Sequence, residues 1–466
     1  MCRIKTVGLA VQKSNWKTRA PGLVFGFVLA IWAISDEPLL GGGPGFGLAQ
    51  GLVFTAGLVT MALTFLWPKV VPGLITIVVS FGVALVLAEL IIGGAYAPKY
   101  ATAFDYDPGL HYKLIPGAER EYQHAEINGG DKFSYHVNER GFRGPELKKA
   151  TAGLRRLVVY GDSFIQAEYS RHEDTFVHQL GKALEERLPG EFEAVNAGVA
   201  GYGPDQALLK MRMELDLLKP DLVVMAIYSG NDFGDLVRNK LFRIDADEKL
   251  IDNDFRVREN TVKRLAQSKH EPIIRKMLRE QYRRFAGADK RAPESPEQRI
   301  ARFLDQHQAE YQAFVEDDNN WVGDLQVDPY SADISIFGLE EPSAAYKIRM
   351  MRAVLRGIQH ELRKRNIPSL LLVIPHPIDA MGGKHDSGHI QKTLYPNYVP
   401  SRLTDAVVTL GDQVGFDVVN LFSNFAANDP VSLYFRGGDD HWNAQGQAFA
   451  AQIVADFIED QGLLED

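Results

Sequence analysis

Four short clusters in this 466-residue chain combine the residue types that acyl chemistry needs. They are Gly161-Asp162-Ser163, the pair Asn196 and Gly198, Gly230-Asn231-Asp232, and Asp439-Asp440-His441. Transfer of an acyl group through a serine requires a nucleophile, a base to take its proton, a carboxylate to orient that base, and donors for the oxyanion. Ser163 is the candidate nucleophile, and its own N–H, the N–H of Gly198 and the side-chain amide of Asn231 are the candidate oxyanion donors. His441 is the candidate base, because imidazole can accept a proton at one nitrogen while the other is held by an acid. Asp439 is preferred to Asp440 as that acid, since in an extended segment residues two apart share a face and neighbours do not. Each fragment also has a plain reading: Asp and Ser cap helices that follow strands, and Gly-Asn-Asp is an ordinary turn. The chemical reading therefore depends on a fold that gathers the four.

From Leu154 onward, short runs of Val, Ile and Leu alternate with amphipathic stretches of helical period, which predicts βαβ units on a parallel sheet. Strands are expected over 156–160, 192–196, 222–228, 369–374 and 416–421, and helices over 175–188, 204–218, 344–365, 401–414 and 443–460. Ligands of such sheets collect beyond the carboxyl ends of the strands, and the first three clusters follow the first three strands. One polar interruption, residues 236–342, separates the third strand from the fourth and reads as an inserted helical subdomain and candidate lid. It contains a capping box at Ser295 and Gln298 and a basic stretch over 273–285 that reads as a solvated helix face.

With these blocks in this order, the chain resembles the SGNH hydrolases, or GDSL-type esterases and lipases, whose name-giving residues fall on Ser163, Gly198, Asn231 and His441. The likeness runs from about Leu154 to Gly462, apart from the insertion. It implies a flavodoxin-like three-layer α/β/α sandwich with a parallel sheet, and ester hydrolysis or acyl transfer without a metal or cofactor. It also implies that Asp439 and His441 complete a triad with Ser163. Two departures stand out: Phe164 replaces the usual Leu, and the usual Asp-x-x-His spacing would put the acid at Gly438, where this chain offers Asp-x-His. The ordinary α/β-hydrolase motif is excluded because Ile165 stands where Gly-x-Ser-x-Gly needs its second glycine.

Composition sets the surroundings. The net charge of −9 comes with no concentrated basic patch, which argues against nucleic acid as a partner. The single cysteine, Cys2, excludes an intrachain disulfide and a cysteine-based zinc site. Between Pro21 and Ala97 the charged residues are only Asp36, Glu37, Lys69 and Glu89. Residues 1–98 are therefore expected to be a membrane anchor with about three transmembrane helices, over 21–38, 46–67 and 70–95. The first of these is the shortest. Residues 99–152 read as a Gly-rich connecting segment, and 153–466 as the catalytic domain. Basic residues from Arg3 to Arg19 precede the first apolar stretch and acids follow it, so three spans would leave the large domain outside.

The expectation is then a multi-pass protein of a bacterial inner membrane, with a periplasmic SGNH esterase acting on O-acyl groups, acetyl included, of an envelope glycan or lipid. Two rivals share the motifs. One is an O-acyltransferase of polysaccharide acetylation, which would need a membrane-bound acyl-donor partner because three spans are too few to carry the donor across. The other is a catalytically silent, glycan-binding SGNH domain, against which the intact residue set argues.

Overall fold

The computed structural model describes residues 16–35, 47–100, 103–122, 132–257, 259, 262, 273–275, 277–278, 294–316, 321–322, 329–437 and 439–464. Cys2, the acidic loop after residue 35, most of the 273–285 basic stretch and Gly438 lie outside the described residues. The chain divides into two compact units, Met1–Ala95 and Tyr96–Asp466.

Helices α1 (Trp16–Ile34), α2 (Leu48–Leu66) and α3 (Val71–Tyr100) follow one another, the first unit taking α3 as far as Ala95. Trp16–Ile34 and Val71–Ile92 are long and apolar enough to cross a membrane, whereas Gln50–Leu66 is a shorter apolar helix. This reverses the expected ranking, because α1 begins before Pro21 and carries Lys17 and Arg19 within its first turns. Long basic side chains can lie along a helix and reach polar surroundings, so charge did not mark its start. Helices α1 and α2 pack through small residues: a Cβ on Gly26 would lie 2.6 Å from the Gly57 carbonyl oxygen. Only glycine lets two backbones come so near.

The second unit is built on a five-stranded parallel sheet of β1 (Leu154–Tyr160), β2 (Glu191–Asn196), β3 (Leu222–Tyr228), β4 (Ser369–Ile374) and β5 (Asp417–Asn420). Their spatial order is β2-β1-β3-β4-β5, the flavodoxin-like doubly wound order. β3 and β4 are buried at every position, since helices cover both faces, and a strand dry on both sides must be apolar throughout. Val158, Val223, Met225, Leu371 and Val373 face helices Pro204–Leu218, Pro342–Arg363 and Arg402–Val414. Their neighbours Val159, Leu222, Val224, Leu370 and Leu372 face helices Phe176–Arg187 and Ala444–Asp460. The result is three layers, α/β/α.

The segment before the sheet forms two hairpins, Phe104–Asp107 with His111–Leu114 and Glu119–Tyr122 with Phe133–His136. Their Tyr112, Leu114, Tyr122 and Tyr135 form a small core with Val199 and Tyr202, so this connecting segment is packed onto the sheet domain.

The described part of the 236–342 insertion is not a separate lid. Ile300, Phe314, Tyr330, Ile334 and Ile336 are buried in the same core as one face of the sheet. The predicted capping box is present, with Gln298 N–H donating to Ser295 Oγ and Ser295 N–H to Gln298 Oε1. A buried polar knot ties the insertion down: Lys347 Nζ donates to His307 Nδ1 at 2.8 Å and to Asp333 Oδ2 at 2.9 Å. Ser343 Oγ donates to the same Asp333 oxygen, and His307 Nε2 to the Tyr330 carbonyl. Beyond this knot, Ser331 N–H donates to the Gly230 carbonyl, so the insertion braces the turn after β3.

Candidate active site

At the end of β1 the chain turns into a single helical turn, Ser163–Gln166. Asp162, not Ser163, caps it, accepting the Phe164 N–H at 2.9 Å. The serine hydroxyl is therefore available, and it lies 2.7 Å from His441 Nε2. His441 Nδ1 lies 2.9 Å from Asp439 Oδ1, and the His441 backbone N–H donates to that same oxygen.

Asp440 does not face away, as alternation along an extended segment predicts; its Oδ1 lies 3.4 Å from the same Nδ1. The reason is local. Residues 439–441 form a bend rather than a strand, pinned by the single bridge between Tyr434 and Trp442 and by the bond from Phe435 N–H to the His441 carbonyl. Asn443 completes the anchor by donating to the Ser432 and Tyr434 carbonyls while capping helix Ala444–Asp460.

Burial alone would lower the His441 pKa, but the hydrogen bond to Asp439 and the charges of Asp440, Asp439 and Asp162 push it up to about 9. Burial raises Asp162 to about 6, against the opposing pull of the Phe164 N–H and of His441. Phe164, the departure from the family pattern, lies 4.8 Å from the His441 ring in a stacked arrangement and 4.1 Å from Tyr228. A ring face carries partial negative charge, so this packing suits an imidazole that becomes positive.

The three oxyanion candidates differ. No hydrogen bond takes the Ser163 N–H among the described residues. Asn231 leaves helix Asp232–Asn239 uncapped by its side chain, and its Oδ1 is buried without a partner. Asp232 holds this turn by accepting the Tyr228 N–H at 2.9 Å. The Gly198 N–H, expected to be free, donates to Asn196 Oδ1 at 3.1 Å. It can serve an oxyanion only as a shared, three-centre donor. Gly198 has a second role: a Cβ there would lie 2.6 Å from the Gln166 nitrogen, so glycine lets the β2 loop press against the Ser163 turn.

Sequence reading missed several neighbours. His376, after β4, is buried at 4% exposure, and burial holds its pKa near 3. Glu168 accepts from the Tyr122 hydroxyl and pairs with Arg120 at 3.5 Å, which brings the second hairpin to the wall of the site. Aromatic residues in strands and hairpins read as core, so nothing marked Tyr122 or Tyr228. A cavity of about 80 Å³ opens beside Ser163, lined by Ala167, Tyr169, Ala200, Phe435 and Trp442 among others.

Asp439, Asp440 and His441 offer ligand atoms within 4.8 Å of one another, the one such group among the described residues. His441 uses Nδ1 and Nε2 on Asp439 and Ser163, so a metal ion there would have to break the chain of hydrogen bonds.

No protein-family model and no curated protein sequence matches this chain. Among solved structures, it is similar to a lipase/acylhydrolase from Enterococcus faecalis, with 12% identity over 66% of this chain and 96% of that one, TM-score 0.33. It is also similar to an acetyl xylan esterase, with 14% identity over 65% and 99% and TM-score 0.32. A psychrotrophic esterase from Pseudoalteromonas shares 12% identity over 66% and 98%, with TM-score 0.31.

Proposed function

We propose that this protein is a membrane-anchored serine esterase of the SGNH type, hydrolysing short O-acyl esters of an envelope glycan or lipid. The observation that carries the proposal is the continuous chain from Ser163 Oγ through the His441 imidazole to Asp439, with links of 2.7 and 2.9 Å. Ser163 Oγ attacks the ester carbonyl while His441 Nε2 takes its proton. The oxyanion is met by the Ser163 N–H, the Asn231 amide and the shared Gly198 N–H. The imidazolium then protonates the departing alkoxide, leaving an acyl-serine and a free alcohol. Water, deprotonated by the same nitrogen, attacks the acyl-serine, and Ser163 leaves with the returned proton. Carboxylic acid and enzyme are released.

The acyl group in this reading is small. The cavity of about 80 Å³ is far below the roughly 300 Å³ at which pockets for drug-sized ligands begin, and a water molecule alone claims about 30 Å³ of liquid. An acetyl group suits such a space and a long chain does not. Anchorage in a bacterial inner membrane, with the sheet domain on the periplasmic side, rests on three apolar helices and on the bases that precede the first of them.

The test is hydrolysis of p-nitrophenyl acetate by the full chain in detergent, comparing wild type with Ser163→Ala. Turnover lost by the variant supports the acyl-serine route. Turnover that survives it, or a well-folded wild type with none, overturns the esterase reading.

A further inference from the structure

The Asp440 carboxylate is held more elaborately than a bystander of the bend would be. Its Oδ2 accepts from the Tyr228 hydroxyl at 2.7 Å, and the same oxygen lies 3.8 Å from His376 Nε2. The tautomer of His376 is fixed by its other nitrogen, because Nδ1 accepts the Ile378 N–H at 3.0 Å. The proton therefore sits on Nε2, turned toward Asp440. Tyr228 and His376 are stacked on each other with ring centroids 5.7 Å apart. Gly230 makes room for both: a Cβ there would lie 2.6 Å from Tyr228 Cζ and 2.7 Å from His376 Cδ2. Two strand ends, those of β3 and β4, thus contribute to one carboxylate, with its other oxygen 3.4 Å from His441 Nδ1.

Resting on the esterase reading, we propose that Asp440 is a second positioning carboxylate of His441, held by the Tyr228 hydroxyl and faced by the His376 N–H, so that the Nδ1 proton is shared with Asp439. Two anions beside one imidazole repel each other unless each is held by donors. Asp439 has the His441 backbone N–H, and Asp440 has the Tyr228 hydroxyl, with the His376 Nε2–H facing it from 3.8 Å. Burial opposes the charge on Asp440, but His441, His376 and the Tyr228 hydroxyl keep its pKa below the usual carboxylate range, so it is an anion at neutral pH. Burial and the neighbouring Asp440 charge raise the Tyr228 pKa, so its hydroxyl remains a donor. The other titratable groups facing His441 are Asp162, Glu168 and Tyr169, with His385 beside the two aspartates.

When the imidazolium forms, two charges stabilise it rather than one. Removal of either leaves the other to keep the tautomer. Loss of a lone orienting aspartate costs a serine hydrolase about 10⁴-fold in kcat. Here Asp439→Asn is expected to cost no more than about 10²-fold, and Asp439→Asn with Asp440→Asn about 10⁴-fold, a coupling that marks interacting partners.

The test uses the full chain in detergent and follows kcat/KM against pH for both single variants, the double variant and Tyr228→Phe. Asp440→Asn is expected to move the acidic limb about one unit toward acid, as loss of an opposite charge within 4 Å does, and Tyr228→Phe to move it the same way by less. Tyr228→Phe removes only a hydroxyl, so it keeps the test open if Asp440→Asn does not fold. An Asp439→Asn variant as inactive as the double, with an unmoved limb in Asp440→Asn or Tyr228→Phe, overturns the proposal. His441 titration by NMR of histidine-labelled protein separates this failure from failure of the esterase reading, since it needs no turnover. There the proposal requires a lower His441 pKa in Asp440→Asn than in wild type, and an equal one overturns it.

Discussion

Gly198→Ala tests how Ser163, the proposed nucleophile, is held. The new Cβ would sit 2.6 Å from the Gln166 nitrogen and 2.7 Å from Ile165 Cβ. Ordinary carbon contacts lie near 3.5 Å, so one backbone must retreat by roughly 1 Å. No rotamer change relieves this, because the nearest atom belongs to the main chain of the turn that carries Ser163. The present Ser163 to His441 separation is 2.7 Å, and about 1 Å more removes the hydrogen bond. A misplacement of that size costs on the order of 10²-fold in rate. The assay is p-nitrophenyl acetate hydrolysis by the full chain in detergent, with kcat and KM resolved and folding checked by circular dichroism. The expected result is kcat lower by about 10²-fold with KM nearly unchanged, since the acyl cavity is walled largely by other residues. A folded variant with kcat within about threefold of wild type, a barrier change well under 1 kcal/mol, would refute the claim that this contact sets the serine.

Three further outcomes are expected. His441, with its pKa pushed up to about 9, stays protonated through neutral pH, and only the neutral ring can take the serine proton. Wild-type kcat/KM should therefore climb by up to about tenfold per pH unit and level off only near pH 9; a plateau already reached by pH 7 contradicts the carboxylate cluster as drawn. Lys347→Met strands Asp333 and His307 in the core and should lower stability by about 3–5 kcal/mol in urea unfolding, because it breaks a buried pair by removing one partner. A loss under about 1 kcal/mol would mean the knot is incidental. In membranes from cells expressing the full chain, alkaline carbonate should fail to extract the protein while detergent succeeds. Release by carbonate would refute the anchor.

The sheet was readable because its strands are dry on both faces. A run such as "LVVMAIY", with turn residues and an amphipathic helix after it, fits little besides a buried parallel strand. None of the five strands begins or ends more than two residues from its expected place. The order of the four clusters at strand ends was also readable, since it depends only on sequence position. What the sequence could not show was direction. Alternation predicts that Asp439 and Asp440 face opposite sides, and this fails because long-range bonds from Tyr434 and Phe435 bend the segment. His376 sits between Pro375 and Pro377, which mark a turn, and nothing local shows that Tyr330 from the insertion roofs that turn. The insertion itself looked detachable because its helices are polar on average. Its buried side is a few residues, Ile300 and Phe314 among them, whose partners lie on distant elements.

The division of labour between Asp162 and Ser163 has a consequence for how such a protein can change. The turn after β1 is capped by the aspartate, and in the esterase reading the hydroxyl next to it supplies the reactivity. In that reading a change of Ser163 to alanine would silence the chemistry while leaving the Asp162 cap of the turn in place. Loss of catalysis is then a short evolutionary step with almost no folding penalty. Lineages carrying this architecture are free to keep the pocket as a sensor or adaptor after abandoning the reaction.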